Sequence, residues 1–250
     1  MDYVNRIPAH IKLYIFDLDG TLVDSLGDLS DSVNSMLSLY GLPAVDEGIV
    51  RRGIGIGARN LLYRCFAAAA KNSGADCPPR ISATGIGSDP DPLTANDRSS
   101  RYPAFEALMA EAMPEYRRLY IANSTARTVW YPGISDWLET LAGQGLAMAV
   151  LSNKPDAASA RIIRALGGDR FFRMIEGPES VGALKPDPAG IHKIMTRCGI
   201  SAAATVMIGD STVDIETGKN AGVLTCGITG GYGDDEALRK AACDVLIERV

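Results

Sequence analysis

The sequence predicts an α/β fold built on a parallel sheet, with a largely helical block inserted after the first strand. Three observations carry this. Short apolar runs without alternation, at Leu13 to Phe16, Leu146 to Leu151, Thr205 to Ile208 and Val223 to Ile228, read as strands buried on both faces, as in parallel sheets. Stretches with apolar residues at helical spacing separate most of these runs, the pattern of parallel strands joined by right-handed helical crossovers. From about Leu26 to Thr128, however, the chain reads as almost all helix, which parts the first strand from the others.

The first strand ends abruptly in Asp17-Leu18-Asp19-Gly20-Thr21. Chemistry in parallel sheets gathers at the carboxyl ends of the strands, so both aspartates stand where a ligand would bind. Gly20 allows a tight turn and Thr21 adds a hydroxyl. Crowded carboxylates repel unless a proton or a cation joins them, which makes this a seat for a hard divalent ion, although a strand ending in a polar turn accounts for the stretch from Leu13 to Leu22 equally well.

Ser25 to Tyr40 carries Leu26, Leu29, Val33, Met36, Leu37 and Tyr40 as a helical stripe, closed by Gly41 with Pro43 beyond. A second helical pattern runs through Ile49, and a third through Leu61, Leu62, Cys65 and Phe66 into four alanines. Between them, Arg51-Arg52-Gly53-Ile54-Gly55-Ile56-Gly57 lacks the spacing and preceding strand of a dinucleotide fingerprint and reads as a turn. Most arginines are simply solvated, but Arg51 or Arg52 could grip an anionic substrate group if this loop faces Asp17. Ser73 to Ser100 turns to Gly, Pro, Ser and Asp without periodicity, as a lid, a partner-binding segment or a disordered insertion would. Helical spacing resumes at Tyr102, and Pro114 is expected to break or kink it before Tyr116.

Tyr131-Pro132-Gly133 opens a helix through Trp137 and Leu141, and the strand at 146–151 ends in Ser152-Asn153-Lys154-Pro155. A helix from Ala157 to Leu166 and a short Met174-Ile175 element precede Lys185-Pro186, with Pro186 expected in the first turn of a helix towards Cys198. The strand at 205–208 ends in Gly209-Asp210-Ser211-Thr212-Val213-Asp214, a helix follows to Ala221, and Val223 to Ile228 and Asp244 to Ile247 supply the last strands.

Composition excludes several classes. With 25 Lys plus Arg against 30 Asp plus Glu and no basic run, the chain is not built to bind nucleic acid or a membrane surface, and a small substrate is expected. Its 46% hydrophobic content suffices for a packed interior. Five widely spaced cysteines without a C-x-x-C pair, and an amino terminus without an apolar signal core, point to free thiols in the cytoplasm. Neither His10 nor His192 clusters with the candidate residues. The pattern suits a monomer or a homodimer alike.

Four strand ends thus offer chemistry on one edge: Asp17 with Asp19, Ser152 with Asn153, Lys185, and Asp210 with Asp214. Each alone has a dull explanation as a turn or a helix cap. In this order they resemble the haloacid dehalogenase-like hydrolase superfamily, whose pattern is D-x-D-G-T, then S/T, K and G-D-x-x-x-D. FDLDGTLVDS, the YPG at Tyr131, SNKP at Ser152, KPDP at Lys185 and GGYG at Gly230 look most like its phosphoglycolate phosphatases. The resemblance implies a Rossmann-like parallel sheet core, residues 1–22 and 129–250, with an all-helical cap domain at 23–128 and an irregular insertion near 73–100.

It also implies roles. Asp17 would be the nucleophile that forms an aspartyl-phosphate, and Asp19 the acid that protonates the leaving alcohol and later the base that activates water. Asp17, Asp210 and the Asp19 main-chain carbonyl would hold Mg²⁺, with Asp214 behind them or orienting Lys185. Thr21, Ser152, Asn153 and Lys185 would serve the substrate, Thr21 by orienting the first motif; Arg52, read from its loop and not from the resemblance, is added to them as a candidate substrate contact. Counting Asp17, Asp19, Asp210 and Asp214 as four negative charges against a divalent metal and Lys185 leaves one, which a proton on Asp19 would cancel. The implied activity is hydrolysis of a small phosphorylated metabolite, phosphoglycolate first. A phosphomutase using the same aspartate pair, or a metal- and phosphate-binding regulator without turnover, are the alternatives; Asp19 argues against the second.

Overall fold

The computed structural model describes residues 6–76 and 103–249. They fall into two compact units, one of residues 1–25 with 128–250 and the other of residues 26–127.

The first unit holds six parallel strands, β1 (Leu13–Phe16), β4 (Ala147–Leu151), β5 (Met174–Glu176), β6 (Thr205–Gly209), β7 (Leu224–Ile228) and β8 (Val245–Ile247). They lie in the order β5-β4-β1-β6-β7-β8. Counted along the chain, this is the 3-2-1-4-5-6 order of the Rossmann fold. The chain winds outward from β1 on one side and returns to build the other, so β1 marks the switch point where ligands bind. The register pairs Phe16 with Val150 and with Ile208, so Asp17, one residue past Phe16, and Ser152 and Asp210, two residues past its partners, all emerge at one edge.

Alternation along the strands explains the absence of polar positions. Tyr14, Phe16, Met148, Val150, Val206 and Ile208 face a core with Trp137, Leu138, Leu141, Ile162 and Ile163, which come from α5 (Ile134–Gly143) and α6 (Asp156–Ala165). Leu13, Ile15, Ala147, Ala149 and Met207 face the other way, onto Ile191 and Ile194 of α8 (Ala189–Cys198). Both faces are covered. A second, two-stranded ribbon escaped the apolar pattern because it is so short: β2 (Val23–Asp24) pairs antiparallel with β3 (Val129–Trp130).

Pro186 lies ahead of α8, which starts three residues later than expected. The Asp187 carboxylate accepts the Ala189 N–H at 2.8 Å and caps the helix there. A four-residue helix, α7 (Pro178–Val181), precedes that turn.

The second unit is helical: α1 (Leu26–Leu39), α2 (Glu47–Arg51), α3 (Ala58–Ser73) and α4 (Pro103–Asn123). Pro114 does not end α4, which runs through it as one helix. Ala112, Tyr116 and Tyr120 recur at four-residue spacing and are all buried, and α4 packs along α1. That burial outweighs the roughly 3 kcal/mol cost of an interior proline. Most of the 73–100 insertion, with Cys77, lies outside the described residues. The other four cysteines are free thiols, and no described helix is long and apolar enough to cross a membrane.

Candidate active site

The edge at β1 gathers Asp17, Lys185, Asp210 and Asp214. Lys185 Nζ donates to Asp17 Oδ1 at 2.6 Å and to Asp214 Oδ1 at 2.5 Å, and all three side chains are almost wholly buried. Asp214 is placed by local helix chemistry: it is the third residue of α9 (Thr212–Asn220) and its Oδ2 accepts the backbone N–H of Ser211 at 3.1 Å. The reciprocal cap spends one carboxylate oxygen and leaves the other for Lys185.

Asp210 is held from two directions. The Thr21 hydroxyl donates to Oδ1 at 2.8 Å, and the backbone N–H groups of Tyr232 and Gly233 donate to Oδ2 at 2.7 and 3.0 Å. The loop can come this close because its neighbours lack side chains. A Cβ on Gly20, which sits at φ 86°, or on Gly231 would stand 2.4 Å from Asp210 Oδ2.

Burial and mutual repulsion dominate the electrostatics. Burial, only partly offset by Lys185 and reinforced by Asp214 and Asp210, pushes the Asp17 carboxyl up to about 8. Burial, followed by the Asp214 charge, also raises Asp210, against the donors from Gly233, Thr21 and Tyr232. For Lys185 burial acts downward, but Asp17 and Asp214 outweigh it and hold the ammonium firmly charged. One oxygen each of Asp17, Asp210 and Asp214 lie within 4.8 Å of one another. Three hard anionic donors against a single ammonium leave an unbalanced charge of −2, which suits a divalent cation.

Asp19 goes elsewhere. Its Oδ1 accepts the Ser25 hydroxyl at 2.5 Å, and its Oδ2 pairs with Lys154 Nζ at 3.0 Å. Lys154 is buried to about the same degree as Lys185. The sequence reading gave it no role, although it follows directly on Ser152-Asn153 at a strand end, and its charge revises the earlier balance. Four aspartates and two lysines sum to −2, so a divalent ion alone brings the site to neutrality without a proton on Asp19.

Ser152 is buried at the end of β4, with its N–H on the Glu176 carbonyl at 3.0 Å and its hydroxyl accepting the Lys154 N–H at 3.3 Å. The Asn153 side chain is engaged on the Lys185 backbone, accepting its N–H at 2.7 Å and donating to its carbonyl at 3.1 Å. Asn153 thus fixes the lysine's starting point. Thr21, fully buried, orients Asp210 through its hydroxyl. Arg52 closes α2 in the second unit and is exposed. The residues that the pattern missed are Lys154, Ser25, Tyr232 and Arg249. The first three fall inside the quoted stretches SNKP, FDLDGTLVDS and GGYG, and only Arg249 carried no signal at all.

The chain belongs to the haloacid dehalogenase-like hydrolases, whose family model matches residues 14–228. Within that family it is phosphoglycolate phosphatase-like. It is 34% identical over 248 residues to phosphoglycolate phosphatase 1 of Pseudomonas aeruginosa, covering 99% of this chain and 79% of that protein. It is 32% identical to phosphoglycolate phosphatase of Haemophilus influenzae, covering 96% and 95%. A crystal structure described as a predicted phosphoglycolate phosphatase from Haemophilus somnus superposes with a TM-score of 0.77 at 30% identity, over 96% of this chain and 94% of that one.

Proposed function

We propose that the chain is a Mg²⁺-dependent phosphoric monoester hydrolase that works through an aspartyl-phosphate on Asp17, with phosphoglycolate or a similarly small phosphate ester as substrate. The observation that carries this reading is Lys185 lodged between Asp17 and Asp214 beside Asp210. Such a cluster holds a nucleophilic carboxylate next to a fixed positive charge, in a place where an excess negative charge awaits a cation.

The Asp17 and Asp210 carboxylates and the Asp19 main-chain carbonyl would hold the ion, which when bound would supply positive charge to the phosphoryl oxygens and keep Asp17 ionised. Lys185 stabilises the charge that grows on those oxygens, and Ser152 with the Asn153 amide stands at the neighbouring strand end to share it. Asp214 keeps Lys185 in position. Asp19, outside the cluster that crowds Asp17, would take up a proton as the anionic ester enters the neutral site, pass it to the leaving alcohol and then take one from the attacking water. The helical unit is a cap, and Arg52 is an anion contact of the substrate; Arg52→Ala should raise KM and leave kcat near its starting value. A cytoplasmic setting fits the free thiols.

The test is phosphate release from a panel of small phosphate esters, phosphoglycolate included, with Mg²⁺ and again with chelator. Metal-dependent release supports the reading. Transfer of the phosphoryl group between positions of a bound sugar without release identifies a mutase, and binding of metal and phosphate without turnover identifies a regulator.

A further inference from the structure

Arg249 lies two residues past β8 and reaches back to the first motif. Its Nη1 donates to the Gly20 carbonyl at 2.9 Å and its Nη2 to the Thr21 carbonyl at 2.6 Å. The guanidinium carbon stands 3.8 Å from the ring centroid of Tyr131, the distance of a cation–π contact. The Tyr131 N–H is itself held on the Leu22 carbonyl at 3.0 Å. The Tyr232 hydroxyl in turn accepts the Ser25 N–H at 2.6 Å and donates to Asp24 at 2.7 Å.

Residues 20–25 are therefore gripped from outside by the side chains of Arg249 and Tyr232 and by the backbone N–H of Tyr131, all remote in sequence. This is the turn that begins directly after Asp19 and contains Thr21, whose hydroxyl orients Asp210. A planar fork on two successive carbonyls fixes two successive peptide planes, and with them the direction in which the Thr21 side chain leaves the chain. Lysine has neither the fork nor the flat face.

We propose that Arg249, seated on Tyr131, is a positioning residue for the hydrolytic reaction: it locks the Gly20-Thr21 turn so that Thr21 stays on Asp210 and the metal-binding carboxylate keeps its orientation. The inference rests on the phosphatase reading, but it makes a separate claim about metal binding.

The test compares full-length Arg249→Gln, Arg249→Lys, Tyr131→Phe and Tyr131→Leu by kcat, KM, Mg²⁺ half-saturation and thermal midpoint. Arg249→Gln should lower kcat and weaken Mg²⁺ about tenfold to a hundredfold with KM little changed, the scale of losing an outer partner of a metal site. Arg249→Lys should recover only part, Tyr131→Phe should match the parent protein, and Tyr131→Leu should fall between. If Arg249→Gln does not fold, Tyr131→Leu and Arg249→Lys make the same comparison. Parent-like kcat and Mg²⁺ half-saturation in folded Arg249→Gln, or a loss matching only its folded fraction, would overturn the proposal. Should the parent protein cleave no ester, the phosphatase reading fails, and calorimetric Mg²⁺ binding to the same variants still decides the role of Arg249.

Discussion

Asp17 and Asp19 are one residue apart in sequence, and each has its own lysine, yet their surroundings differ in kind. Asp17 shares Lys185 with Asp214 and lies within reach of Asp210, so carboxylates outnumber ammonium groups and its proton is held up to about 8. Asp19 has Lys154 to itself and a serine hydroxyl on its other oxygen. One pocket is short of positive charge and the other is balanced. On the proposed mechanism, two chemically identical side chains are thereby suited to different work, the first to gain a cation and attack, the second to pass a proton. The end of the strand is the cause: residues two apart share a face only while the chain stays extended, and β1 stops at Phe16 with the turn at Gly20 just beyond, so the two carboxylates meet different partners.

The largest effects should come from removing either carboxylate. Asp17→Asn should lower kcat by about 10⁴-fold or more, as loss of a nucleophile does. Because the change also removes a buried carboxylate from a repulsive cluster, the thermal midpoint in chelator should hold or rise. Asp19→Asn should cost about 10²–10⁴-fold on an alkyl phosphate, the range for general acid–base catalysis. With p-nitrophenyl phosphate, whose leaving group needs no proton, the first half-reaction should be spared, and a burst of p-nitrophenol followed by slow turnover should appear. An equal loss on both esters would remove the contrast between the two aspartates.

Much of this was legible before any coordinates. The strands that carry chemistry are apolar throughout, so they stood out, and Asp17 and Asp210 fall directly at their ends; Asp214 lies in the first turn of the following helix, and Lys185, expected at a strand end, instead follows the short helix after β5. What stayed hidden was contact made by side chains over long sequence distances. Arg249 on Gly20 spans 229 residues, and nothing local marks an arginine near a short edge strand as a brace. The ribbon of β2 and β3 has two residues per strand, too few for any periodicity. Pro114 misled for the opposite reason: its local preference is strong, but buried tyrosines on the same helix overrode it. Lys154 was visible and passed over, because a lysine before a proline reads as an ordinary turn until its burial is known.

An intermediate effect concerns metal and pH. A divalent ion must displace the proton from Asp17, so apparent Mg²⁺ affinity should rise about tenfold per pH unit and level off near pH 8. Stability in chelator runs the other way. The unfolded chain gives up this proton near pH 4 whereas the folded chain keeps it to about 8, so the folded state binds more protons between those values and stability falls as pH rises through the window. Saturating Mg²⁺ takes the place of the proton and should flatten that slope. Thermal midpoints from pH 5 to 9, with and without the ion, measure both trends; a chelated protein that grows more stable over this range would contradict the crowded-carboxylate account of Asp17.

The smallest change tests the balanced pocket. Lys154→Met leaves Asp17 and its partners in place but removes one positive charge from the wider site, which with a divalent ion bound would shift from neutral to −1. The substrate phosphate is itself an anion, so KM should rise by a factor of about three to ten while Mg²⁺ binds at least as well, because the added negative charge attracts one ligand and repels the other. Lys154→Arg keeps the charge and should restore KM. Added salt should narrow the gap between Met and Arg variants, since the effect acts over a distance that ions can screen. If Lys154→Met instead lost Mg²⁺ and substrate affinity together, Lys154 would be bracing the Asp17 pocket as well as Asp19, and the two aspartates would share one environment.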